Sequence, residues 1–163
     1  MKTGKITVMA LAIALAMVLS FVESQIPAFV AVPGVKVGLA NIAVVFVLYK
    51  LGWKEAVVIS LVRVFMVSLL FGSIMSLFYS VAGAVLSLAG MILLKKSGLF
   101  SHVAVSVAGG VLHNVGQIAM ACVILETNVI KYYLPFLVFS GVVAGIVVGL
   151  VAAVMIKRVN IKL

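Results

Sequence analysis

Long apolar runs separated by short polar stretches set the rhythm of this chain. A helix that crosses a bilayer needs roughly 17 to 25 predominantly apolar residues. Runs at about 6–22, 37–51, 54–71, 74–94, 102–125 and 133–156 predict six helices and an all-α bundle. The second run is short: at about 1.5 Å per residue it covers little more than two thirds of the hydrocarbon thickness. The stretch FVESQIPAFVAVPGVKVGLANI, residues 21–42, leads into it. Pro27 and Pro33 forbid a continuous helix through this stretch, and Gly34 permits a sharp turn. Irregular backbone at membrane depth survives only where protein or a wet cavity surrounds it. The stretch is therefore expected to dip inward, complete the second crossing and act as a lid over an outward-facing pocket. A solvated connector is the alternative.

Composition places these helices in a membrane. Hydrophobic residues make up 66% of the 163, charged residues 9%, and the mean hydropathy is +1.45. Soluble domains carry about a quarter charged residues, so this chain cannot clothe a globular surface. Its length suits one integral membrane domain over residues 1–163, in contact with membrane lipid. The net charge of +9 comes from basic residues in ones and twos between apolar runs. They read as topology signals rather than a patch that tracks phosphates, so no nucleic-acid partner is expected.

With the N-terminus inside, nine basic residues fall on the cytoplasmic side: Lys2, Lys5, Lys50, Lys54, Lys95, Lys96, Lys157, Arg158 and Lys162. Lys36 and Lys131 alone fall outside, along with Glu23 and Glu126, while Arg63 lies within a run. This bias predicts a multi-pass protein of the cell membrane with both termini cytoplasmic. Tyr49 and Trp53 then mark the inner interface, Tyr132 and Tyr133 the outer one. No small-x-small cleavage site follows the first run, which is read as a retained helix rather than a signal peptide.

Small residues three and four apart let membrane helices approach closely. Gly141, Gly145 and Gly149 form such a row in the last run, and Ser76, Ser80, Gly83, Ser87 and Gly90 another in the fourth; both predict packing inside the bundle. The first run carries two interleaved pairs, Ala10 with Ala14 and Ala12 with Ala16. Alanines on two faces make a smooth rod, suited either to ordinary packing or to a partner outside the bundle.

Polar groups buried in hydrocarbon are the candidate site. Arg63 sits midway along EAVVISLVRVFMVSLLF, where an ionised side chain costs about 2.5–3.5 kcal/mol on insertion scales. It needs an anionic ligand, a wet cavity or backbone carbonyls. Glu55, eight residues back on the same helix, is about 12 Å away by helical rise. In GGVLHNVGQIAMA, His113 and Gln117 share a helix face with Asn114 beside them. These three could bind a polar ligand or bond between helices. Glu23, Gln25, Lys36 and Asn41 would join them from the lid and its rim.

Several chemistries are excluded. The sequence contains no aspartate, which removes aspartate-rich magnesium sites, and three glutamates cannot replace them. It has no GxxxxGK[ST] phosphate loop, so ATP hydrolysis would have to come from a partner. His102 and His113 are about 16 Å apart along one helix and cannot share a metal. Cys122 is the single cysteine. The chain is expected to be neither an enzyme nor the holder of a metal or cofactor.

ESQIP, PGVKVGLANI, VRV, the glycine-serine fourth run and GGVLHNVGQ together resemble a bacterial membrane family labelled heptaprenyl diphosphate synthase component I, or Gx transporters. That family is similar in turn to the substrate-binding S components of energy-coupling factor (ECF) transporters. The resemblance implies a substrate-capture subunit for a small vitamin- or cofactor-like molecule. A transmembrane coupling protein would dock on an AxxxA face, Ala10 and Ala14 or Ala12 and Ala16, with two ATPases driving the cycle. No known S-component substrate signature stands out. The synthase label implies instead a non-catalytic membrane component of prenyl diphosphate or quinone metabolism, and a membrane subunit of a flavin-linked electron-transfer assembly is a third alternative.

Overall fold

The computed structural model describes residues 2–25 and 38–161, which form six α-helices and no strand. Helix α1 spans Lys2–Gln25, α2 Asn41–Lys50, α3 Trp53–Phe71, α4 Ile74–Ser97, α5 His102–Ile124 and α6 Leu134–Arg158; a 3-10 turn, Val129–Tyr133, precedes α6. Each predicted apolar run thus contains one helix. The lid segment with Pro27, Pro33, Gly34 and Lys36 lies outside the described residues.

Helices α1, α4, α5 and α6 are long and apolar enough to cross a membrane. Their 23 to 25 residues extend about 35–37 Å, more than the roughly 30 Å of hydrocarbon. Helix α3, of 19 residues, carries Lys54, Glu55 and Arg63. Large apolar side chains such as Leu11, Leu69, Ile74 and Phe139 face outward. Water would penalise such a surface and lipid does not. The chain is a multi-pass membrane protein.

Local chemistry sets the ends of these helices. Ser73 and Ser101 cap α4 and α5, each Oγ accepting the backbone N–H three residues on, at 3.2 Å. Helix α4 stops at Gly98, whose φ of +70° is a left-handed geometry that suits glycine. Lysines or arginines fill the last turns of α2, α4 and α6, where the helix dipole favours positive charge.

The second helix departs from the expected 37–51 and begins only at Asn41. Gly38 takes a φ of +74°, and turn hydrogen bonds from Asn41 to Gly38 and from Ile42 to Leu39 replace helical ones. All seven residues from Ile42 to Leu48 are buried, so α2 is wrapped by protein, packed against α1, α3 and α6. Its C-terminal carbonyls are met inside the bundle: Lys95 Nζ donates to the Leu48 carbonyl, and the Leu51 and Gly52 N–H groups to that of Val47. A ten-residue helix can therefore sit at membrane depth without exposing unpaired backbone.

The other half of the bundle is held by glycine. A Cβ on Gly110 would lie 2.6 Å from the Gly141 carbonyl oxygen, and one on Gly145 only 2.5 Å from Val107 Cα. Helices α5 and α6 therefore touch backbone to backbone, as the row Gly141, Gly145, Gly149 predicts. The α4–α5 seam is similar, with Gly116 against Ala82 and Gly83, and Gly109 against Met91. Lipid is as apolar as these side chains, so close packing rather than water exclusion holds the helices together.

Candidate functional site

The lysine-bearing helix ends gather at one end of the bundle. Lys5 of α1 forms an ion pair with Glu55 of α3, at 2.5 Å. Glu55 is thus engaged there and is no partner for Arg63. Tyr49 at the end of α2 packs against His102 at the start of α5, with ring centroids 4.3 Å apart. Lys54 and Lys96 both lie over the Trp53 ring, at 5.7 and 5.9 Å.

A cavity of about 110 Å³ extends from the middle of the bundle toward the opposite end, and all six helices line it. Helix α1 contributes Ser20 and Glu23, α2 Asn41, α3 Arg63 and Ser68, and α4 Ser76 and Ser80. Helix α5 contributes Ser106, His113, Asn114 and Gln117, and α6 Gly141 and Gly145. A single water needs only about 10–15 Å³ by this measure, so the space suits several waters or one small molecule.

Six of the eight polar candidates, Glu23, Asn41, Arg63, His113, Asn114 and Gln117, thus meet at one place. Gln25 is exposed at the end of α1 and does not line the cavity, and Lys36 lies outside the described residues. Glu23, assigned to the outer loop by the run pattern, reaches the site because α1 continues helical through Gln25. Its Oε1 accepts the Gly38 N–H, tying the end of α1 to the turn before α2, and it shares the cavity wall with Arg63.

Arg63 is 9% exposed, and its Nε has no hydrogen-bond partner among the described residues. The buried Oε1 of Gln117 has none either. An unmet buried polar group commonly costs about 1–3 kcal/mol, so a donor and an acceptor in one cavity wall suggest a role beyond packing. Asn114 differs: its Nδ2 donates to the Leu137 carbonyl at 2.6 Å, bonding α5 to α6. Such bonds average about 0.6 kcal/mol in membranes, so Asn114 is at least partly structural. Gly83 makes room for its neighbours, since a Cβ there would come 3.0 Å from both His113 Cε1 and Gln117 Cγ.

Sequence reasoning overlooked the serines of this wall. Ser76 and Ser80 were expected to pack between helices but line the cavity, while Gly83 and Gly90 of the same row do pack against α5. Ser20, Ser68 and Ser106 are also buried in the wall. A serine in an apolar helix carries little signal, because its hydroxyl can bond its own helix. The two alanine pairs separate cleanly. Ala12 and Ala16 are buried in the bundle, at 7% and 0% exposure, whereas Ala10 and Ala14 face outward beside Leu11, Leu15 and Val18.

Residues 12–155 match the family described as heptaprenyl diphosphate synthase component I. The chain belongs to that family. The match spans every residue of the cavity wall, from Ser20 to Val148. No curated protein and no solved structure gives a significant match. As a component I protein, the chain is a membrane component and not itself an enzyme. Among the described residues no three His, Cys, Asp or Glu side chains gather as metal ligands.

Proposed function

We propose that this component I protein is the substrate-capture subunit of an ATP-driven importer of energy-coupling factor type, taking a small vitamin- or cofactor-like molecule. The observation that carries this reading is the shared cavity, in which Arg63 and Gln117 keep buried polar atoms without partners among the described residues. A second feature supports the direction of transport. The cavity extends from the middle of the bundle toward the end away from the gathered lysines. Under the positive-inside rule those lysines are cytoplasmic, which puts both termini inside the cell membrane and turns the cavity outward.

Energy would come from elsewhere, since the sequence has no nucleotide-binding loop. Of the two alanine pairs, only Ala10 and Ala14 are available to a transmembrane coupling protein carrying the ATPases. Native mass spectrometry of the purified protein is expected to find one retained small molecule. No retained molecule and no associated coupling complex would sink the reading.

The docking face has its own test. Ala14→Phe is expected to leave ligand retention unchanged and to abolish co-purification of the coupling complex. Ala16→Phe, at a fully buried position, is expected instead to lower the yield of folded protein. Normal co-purification with Ala14→Phe would remove α1 as the docking helix.

The family description favours a second reading, an accessory membrane component working with other synthase components in prenyl diphosphate metabolism. Arg63 would then face a diphosphate. Shortened or depleted quinone side chains after loss of the gene would favour it.

A further inference from the structure

Resting on the capture reading, we infer that the cavity selects a polar molecule of zero net charge, neutral or zwitterionic, and rejects diphosphates. Three features of the wall carry this. The first is a matched pair of unmet groups. Among the described residues, Arg63 Nε–H has no acceptor and Gln117 Oε1 has no donor. A molecule that carries both, such as an amide, a ureido compound or an amino acid, meets both needs at once.

The second feature is charge balance. Among the described residues lining the cavity, Arg63 is the one Lys or Arg and Glu23 the one Asp or Glu. Their formal charges cancel. Glu23 and Arg63 line the same cavity, so the guanidinium does not meet an incoming ligand as an isolated cation. In a low-dielectric wall, an unbalanced charge on the ligand is heavily penalised. A diphosphate brings two or more negative charges to a site where, among the described residues, one Lys or Arg cation is matched by one carboxylate.

The third feature is the start of α2. A helix N-terminus attracts anions through its dipole and unpaired N–H groups. Here Asn41 and the preceding Gly38 border the cavity, the Asn41 and Ile42 N–H groups donate to the turn carbonyls of Gly38 and Leu39, and the Glu23 carboxylate takes the Gly38 N–H. Glu23 therefore holds the turn in front of that helix end and shares the wall with Arg63. The protein supplies its own anion, and a polyanion would have to compete with it.

Inorganic diphosphate is the decisive probe, measured by titration calorimetry on the full chain in nanodiscs at fixed salt. The wild type is expected to show no saturable binding up to millimolar concentration. Glu23→Gln keeps an oxygen acceptor for the Gly38 N–H but leaves Arg63 unopposed, and is expected to bind diphosphate at least about tenfold more tightly than the wild type. Saturable binding by the wild type would overturn the inference. So would absence of binding by both proteins, because charge balance would then not be what excludes the polyanion. Native mass spectrometry of the wild type separates this claim from the capture reading. A retained molecule with two or more negative charges overturns the charge rule and leaves capture standing. An empty protein that nevertheless follows the expected diphosphate pattern overturns capture and leaves the charge rule standing.

Discussion

Arg63→Met combined with Glu23→Gln is expected to yield a folded bundle that has lost its ligand. Arg63 lies deep in the bundle, where insertion of an arginine costs about 2.5–3.5 kcal/mol, and part of its hydrogen-bonding capacity is unmet among the described residues. Removing it alone would leave the half-buried Glu23 carboxylate as the one formal charge among the described Asp, Glu, Lys and Arg residues of the cavity wall. A charge left unopposed in a low-dielectric wall is penalised, and removing both charges together avoids that penalty. The double variant should therefore unfold at the wild-type temperature or above it.

Ligand retention should fall steeply in the same variant. Hydrogen bonds to a charged group contribute about 1.5–3 kcal/mol, which corresponds to roughly a 10- to 150-fold weaker complex. The checks are thermal unfolding in detergent and the amount of retained molecule seen by native mass spectrometry. A double variant that keeps its ligand would remove Arg63 from the site. One that loses fold and ligand together would make the pair structural.

The second large effect is expected at the α5–α6 seam. Gly145→Leu should prevent assembly of the bundle, because the first added carbon already lies 2.5 Å from Val107 Cα and 3.0 Å from the Val107 nitrogen. Those are backbone atoms and cannot swing aside, so the helices must separate along their length. Overpacking of a well-packed core costs about 1–3 kcal/mol and sometimes more, and a clash with main chain belongs at the upper end. Helix α5 also carries His113, Asn114 and Gln117, so separation would dismantle the cavity as well. Gly4→Ala is the matched control, because nothing lies within 4 Å of a Cβ there. Alanine favours a helix over glycine by up to about 1 kcal/mol, so this variant should be as stable as the wild type or more so. Size-exclusion profiles and unfolding temperatures in detergent decide both; a monodisperse Gly145→Leu protein of normal stability would refute the close seam.

The glycine seam and the site were legible to different degrees, for a physical reason. Gly141, Gly145 and Gly149 repeat every four residues, and one helix period is enough to put them on one face. His113, Asn114 and Gln117 were equally visible, since amides and imidazoles are rare and expensive in hydrocarbon. The same local rule could not divide their work. Asn114 bonds to the Leu137 carbonyl of another helix, and Gln117 keeps its oxygen for the cavity. Spacing along one helix carries no information about what stands opposite.

The alanine pairs make the same point. Ala10 and Ala14 have the same spacing as Ala12 and Ala16, and only the packing of α1 against α2 and α3 makes one pair interior and leaves the other outside. Glu23 shows how a boundary matters: three further helical residues bring a carboxylate from an expected loop to the cavity that Arg63 also lines. The Glu23 side chain is then held by a residue distant in sequence, Gly38, fifteen residues on.

By itself, the order of residues determined a membrane-embedded, all-helical chain with six apolar segments and a polar cluster too costly to be accidental. Composition and period suffice for that, because transfer into lipid and helix geometry are local properties of a segment. Only the tertiary structure decided that those polar groups face one common cavity, that Glu23 shares it with Arg63, and that the shortest helix is the most buried. Each depends on which helix faces which, and that is set by packing among segments far apart along the chain.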